Sequence, residues 1–256
     1  MPTDLTFYAV VAIAVTILGL SKGGFPGIGM ASAPLVATVV GPMAAVSLVL
    51  PIMLVQDVIV VLIYRRSFHT GVLLRMVPGG LIGIAFAYYF AASVPEWAVL
   101  LALGVVSVAF SIWALVGLLA AIPQLEPAVV RRWDGTLATL AGWSCGFTSA
   151  IAHVGYPPYQ IYVMPKNLSN AMYVGTSAIF FAALDLAKVP SYAALGLFSL
   201  EQLKISAMFI PLAILSSWIG AVLVRYLDTR RFQVIITAIL LVIGLVLIGQ
   251  ALLGMS

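Results

Sequence analysis

Leu20-Ser21-Lys22-Gly23-Gly24-Phe25-Pro26-Gly27-Ile28-Gly29-Met30 interrupts an otherwise apolar run. Four glycines and a proline within residues 23–29 predict a break in a helix. A lysine stands at that break, where a bare charge is costly in lipid. The flanks lack the polarity of a loop. A broken helix with an embedded charge points to a membrane transport site.

The rest of the chain supports a lipid setting. It is 63% hydrophobic and only 8% charged, with a mean hydropathy of +1.18. A soluble domain carries about 25% charged residues, so this composition specifies an all-α polytopic membrane protein. At about 20 residues per crossing, the 256 residues allow roughly eight to ten membrane segments. Helices are expected throughout, because an open sheet leaves backbone groups unsatisfied in lipid. The start of the chain has no basic region before an apolar one, so no cleavable signal peptide is expected. One cysteine, Cys145, precludes an intrachain disulfide. The net charge of +4 reflects basic loops, and no nucleic-acid partner is expected.

Apolar segments fall at about 4–21, 27–41, 43–64, 71–92 and 96–121, then at about 134–150, 153–165, 169–189, 202–224 and 231–254. Residues 122–133, with Pro123, Pro127, Arg131 and Arg132, read as a cytoplasmic linker between two transmembrane repeats, 1–121 and 134–256. Segments 27–41 and 153–165 are short enough to be halves of re-entrant hairpins. The halves echo one another. Residues 23–29 match the stretch from Cys145-Gly146-Phe147 to His153-Val154-Gly155-Tyr156-Pro157-Pro158, and the run from Pro78 to Gly83 parallels that from Pro211 to Gly220. The eight arginines (65, 66, 75, 131, 132, 225, 230 and 231) fall on one side if each half crosses an odd number of times. An odd count also inverts the second repeat. The positive-inside rule makes that side cytoplasmic and places both termini outside.

The ordered motifs resemble the TauE/SafE sulfite exporter family. The resemblance rests on Ser21-Lys22-Gly23-Gly24-Phe25-Pro26-Gly27 through Pro34-Leu35, on Pro51-Ile52-Met53-Leu54-Val55-Gln56-Asp57, and on His153-Val154-Gly155-Tyr156-Pro157-Pro158-Tyr159-Gln160-Ile161-Tyr162. Gly175-Thr176, Phe180-Phe181, Lys188 and Pro190-Ser191-Tyr192 continue it. The sequence departs from that pattern at Tyr156, where glycine is frequent, and at Asp185, where asparagine is. The resemblance implies an inverted-repeat carrier, in a bacterial inner membrane, for sulfite, thiosulfate or a small organosulfonate.

Lys22 is the leading candidate to face an anion, helped by the N-terminus of the helix after Gly27. The alternatives are a lysine that snorkels to the interface or pairs with Asp57. His153, at the matching break, is a hydrogen-bond donor or proton carrier, or else bonds a carbonyl freed by Pro157 or Pro158. The candidate substrate-binding set is Ser21, Lys22, Gly23, Gly24, Gly27, Ser144, Thr148, Ser149, His153, Gly155 and Gln160. Hydroxyls suit oxyanions, although each also suits a bond to a helix carbonyl. Asp57, Asp185 and His153 are the proton-coupling candidates, with Asp185 also placed to pair with Lys188 at i,i+3. Lys188 and Lys204 are expected to flank an external loop.

The anion is expected near the midplane between the two broken helices, exposed alternately to each side. Two other classes compete. An intramembrane enzyme would draw on Ser144, Cys145 and His153, but the chain lacks a nucleophile motif and a paired acid–histidine set. A permease subunit would need a coupling helix and a partner ATPase, and no P-loop is present. Two histidines and one cysteine are too few for a metal centre, and no cofactor is expected.

Overall fold

The computed structural model describes residues 4–40, 42–90, 95–120, 127–153, 155–194, 196 and 198–254. Nearly all of the described residues are helical and no strand occurs among them, as a chain confined to lipid requires. In order the helices are α1 (Leu5–Gly23), α2 (Ser32–Val40), α3 (Pro42–Tyr64), α4 (Thr70–Phe90), α5 (Glu96–Ala120), α6 (Pro127–Ala152), α7 (Tyr156–Val163), α8 (Asn170–Ala194), α9 (Leu200–Met208), α10 (Ile210–Leu223) and α11 (Thr229–Gly254).

Among the described residues, five stretches are long and apolar enough to cross a membrane: Leu5–Gly23, Ser47–Tyr64, Thr70–Tyr89, Asn170–Ala194 and Thr237–Gly254. A sixth is counted if α9 and the stretch Ile210–Tyr226, bent by 48°, form one crossing. Their outward faces carry exposed apolar side chains such as Leu74, Ile82, Leu186, Trp218 and Leu253, as lipid contact demands. The nine residues of α2 and the eight of α7 rise only about 12–14 Å, against a hydrocarbon core of about 30 Å. Neither crosses alone. Residues 122–126 of the expected linker lie outside the described residues, and residues 127–133 are already helical in α6.

The helices gather into two compact units, each drawing on both sides of residues 122–133. The first comprises Met1–Phe68 with Val174–Tyr226, and the second His69–Tyr173 with Leu227–Ser256.

In the first unit, Phe7, Val11, Val15 and Leu18 recur along one stripe of α1 and pack against Val36, Leu48, Ile52 and Ala213. Asp4 caps α1 by accepting a hydrogen bond from the Phe7 N–H at 2.9 Å. α1 lies against α10 through small residues. A Cβ on Gly23 would stand 2.1 Å from the Ser217 carbonyl oxygen, and one on Gly24 would stand 2.3 Å from that of Gly220. The expected single segment at 202–224 is in fact broken at Phe209, because Pro211 opens α10 and cannot donate a bond into α9.

In the second unit, α4 and α6 meet in the same manner. Cβ atoms on Gly83 and Gly146 would stand 2.1 Å from the Trp143 oxygen and 1.9 Å from the Gly80 oxygen. Small residues at such spacing let membrane helices approach backbone to backbone. At one end of this pair Asp134 gathers three partners. It pairs with Arg75 and with Lys166 at 2.6 Å, and accepts from the Tyr162 hydroxyl at 2.8 Å.

Candidate functional site

The first break begins later than the glycine density predicts. α1 stays helical through Gly23, and the chain turns at Gly24. Gly23 and Gly24 act chiefly as surfaces for α10. Gly27 is the position that requires glycine, at φ 116°. A short 3-10 turn, Ile28–Ala31, follows and leads into α2. Ser21 is fully buried, and its hydroxyl accepts a hydrogen bond from the Gly27 N–H at 3.3 Å, holding the turn against the end of α1. The Tyr64 hydroxyl donates to the Gly23 carbonyl at 2.9 Å, satisfying one of the acceptors that a helix end leaves open.

Lys22 lies in the last turn of α1, where a cation suits the helix dipole. It is 5% exposed and does not snorkel. Its ammonium donates to Asp57 Oδ1 on α3 and to Asp185 Oδ2 on α8 at 2.7 Å. Lys188, one turn after Asp185, stands 2.6 Å from its other oxygen. The pairing alternatives for Lys22 and Asp185 are therefore the geometry found. The expectation that Lys188 flanks an external loop is wrong. It is wholly buried, because α8 runs through Pro190 to Ala194 and carries Lys188 inside. Lys204, by contrast, is exposed on α9.

Two lysines and two aspartates thus form a buried cluster whose formal charges cancel. Isolated, each would be prohibitive in lipid; paired and hydrogen-bonded, they are tolerated. The sequence marked Lys22, Asp57 and Asp185 separately. Pairing of Lys22 with Asp57 was among the alternatives, but nothing in the sequence placed Asp185, 163 positions away, on the same ammonium.

The second break lies in the other unit, between α6 and α7. His153 is buried with a left-handed backbone, φ 54°, and its N–H donates to the Ser149 carbonyl at 3.2 Å. Such a conformation is strained for a residue with a Cβ, and strain of this kind gathers at functional sites. Gly155 is the N-cap residue of α7, with Pro157 and Pro158 just beyond it. Gln160 is fully buried on α7. Thr148 is buried and returns its hydroxyl to the Ser144 carbonyl at 2.7 Å, the helix-bonding alternative. Ser149 is buried next to it, while Ser144 is half-buried. Cys145 is a buried free thiol. Among the described residues, no group of three or more metal-ligating side chains comes together.

Broken helices, a neutralised charge cluster within apolar helices and lipid-facing outer surfaces define a multi-pass helical membrane protein with polar chemistry held inside it. The model of the sulfite exporter TauE/SafE family matches residues 11–247, and the chain belongs to that family. It is therefore a membrane transporter and not an enzyme. No curated protein and no solved structure matches the chain.

Proposed function

We propose that this protein exports a small sulfur oxyanion, of the sulfite, thiosulfate or organosulfonate class, across a bacterial inner membrane by alternating access, with both termini outside the cytoplasm. The observation that carries the reading is a buried lysine at the broken end of a membrane helix. Lys22 is the cation placed to take an anion in exchange for a carboxylate. Ser21 and the turn at Gly23, Gly24 and Gly27 shape its surroundings. In the second unit, His153, with Ser144, Thr148, Ser149, Gly155 and Gln160, forms the corresponding polar break. Export is favoured by an inside-negative potential, by about 2.3 kcal/mol per net negative charge at 100 mV.

The test is flux from proteoliposomes loaded with sulfite, thiosulfate, sulfoacetate or, as control, acetate. Efflux of a sulfur anion by the chain alone is the expected result, and equal rates for acetate would contradict it. The informative variant is Lys22→Gln combined with Asp57→Asn. It removes one charge of each sign, leaves Asp185 with Lys188, and is expected to fold without binding anions. Full anion affinity in this variant would refute the role of Lys22.

A further inference from the structure

The two aspartates of the cluster are not equivalent. Asp185 is held by two ammonium groups, Lys22 on one oxygen and Lys188 on the other. Asp57 is held by Lys22 through Oδ1. Its Oδ2 is buried and has no hydrogen-bond partner among the described residues. Among the described residues of this unit, no element besides α1 and α8 presents a buried cation near Asp57. On α1 the other titratable groups are Tyr8 and, at the N-cap, the exposed Asp4. α2 and α10 carry none. On α3, Tyr64 directs its hydroxyl to Gly23, while Arg65 and Arg66, just past its end, are exposed. Glu201 and Lys204 of α9, and Arg225 and Tyr226 after α10, are exposed as well. On the stretch of α8 in this unit, from Val174 onward, there is besides Asp185 and Lys188 the buried phenol of Tyr192.

We infer that Asp57 binds one proton each time an anion binds at Lys22, so that the carrier moves a proton together with its anion. This rests on the anion reading above. The anion takes the place of Asp57 Oδ1 on Lys22 Nζ: one ion pair breaks and another forms. Asp57 is then a buried carboxylate that has lost its cation, and a charge so placed is strongly disfavoured. A proton drawn from water forms a bond to Oδ2 and neutralises it. Asp185 keeps Lys188 throughout and stays ionised. The charge count closes. For a monoanion such as a sulfonate, the cluster remains neutral and transport is electroneutral. For a dianion such as thiosulfate, one net negative charge crosses with each cycle.

The test is calorimetry on the purified full chain with thiosulfate, methanesulfonate and sulfate, none of which titrates near neutral pH. Titrations span mildly acid to mildly alkaline conditions in buffers of different ionisation enthalpy. Wild-type protein is expected to take up one proton per anion, with affinity falling about tenfold per pH unit once Asp57 is ionised in the anion-free protein. Asp57→Asn is expected to bind with pH-independent affinity and no proton uptake. Asp134→Asn, in the other unit, should keep the wild-type slope. Infrared difference spectra of wild-type protein supply a readout free of variants: thiosulfate should bring up a protonated-carboxyl band. Anion binding with a flat pH profile and no such band overturns the coupling and leaves the anion reading standing. An unchanged slope in Asp57→Asn does the same for the role of Asp57. Failure of all three anions to bind at any pH removes both.

Discussion

Gly23 meets Ser217 with no side chain between them: a Cβ on Gly23 would come within 2.1 Å of the Ser217 carbonyl oxygen. The neighbour is backbone and cannot swing aside. Gly23→Ala is therefore expected to push α1 off α10 at a cost of about 1–3 kcal/mol. Gly249 on α11 has nothing within 4 Å of such a Cβ, so Gly249→Ala serves as the control and should change stability little. Thermal unfolding in detergent compares the two, and equal midpoints would contradict the close packing.

Lys188 is wholly buried against Asp185, so removing its charge exposes the cost of burying Asp185. Lys188→Met is expected to destabilise the protein by about 3–5 kcal/mol, the typical loss on breaking a buried pair. Adding Asp185→Asn should recover a large part of that loss, because Asp57 still neutralises Lys22. A double-mutant cycle in denaturant unfolding measures the coupling, and simple additivity would show that the two groups do not depend on each other.

His153 holds a left-handed backbone that costs a residue bearing a Cβ about 1–2 kcal/mol. His153→Gly and His153→Ala both delete the imidazole, but only glycine relieves that cost. The glycine variant is expected to be the more stable by about 1 kcal/mol. If the two unfold alike, the break is not under backbone strain.

Asp134 differs from the buried cluster in its access to water. Its partner Arg75 is half-exposed, and such pairs contribute about 0–1 kcal/mol each. Asp134→Asn should lower stability by about 1 kcal/mol in dilute salt and by less in concentrated salt, where screening weakens the wild-type pairs. A loss that does not change with ionic strength would assign Asp134 a different role.

Much of the fold is written locally. The apolar runs and their Gly/Pro interruptions place most helices within a few residues, because lipid leaves the backbone little choice. The lysine at the first break was visible for the same reason: a charge inside an apolar run needs a purpose. Asp57 was a candidate partner of that lysine, but Asp185 was not, since its convergence on the same ammonium depends on tertiary packing that no local pattern encodes. Lys188 was misplaced because Pro190 looks like a helix end, yet α8 continues past it. Gly23 and Gly24 were read as chain breakers, whereas their main service is to admit the backbone of α10. One sequence clue to the cluster was available. Lys22, Asp57, Asp185 and Lys188 all interrupt apolar helices and balance two against two, which is the composition a buried neutral set must have.

The spacing of the cluster along the chain also has a history in time. Lys22 is synthesised 35 residues before Asp57 and 163 before Asp185. At about 5–20 residues per second, roughly 8–30 s pass before its second carboxylate leaves the ribosome. During that interval the nascent α1 holds an ammonium that its final partners have not fully neutralised. α1 is thus made well before α8 yet is electrically completed only when α8 arrives, so a chain truncated ahead of α8 would keep that lysine unfinished.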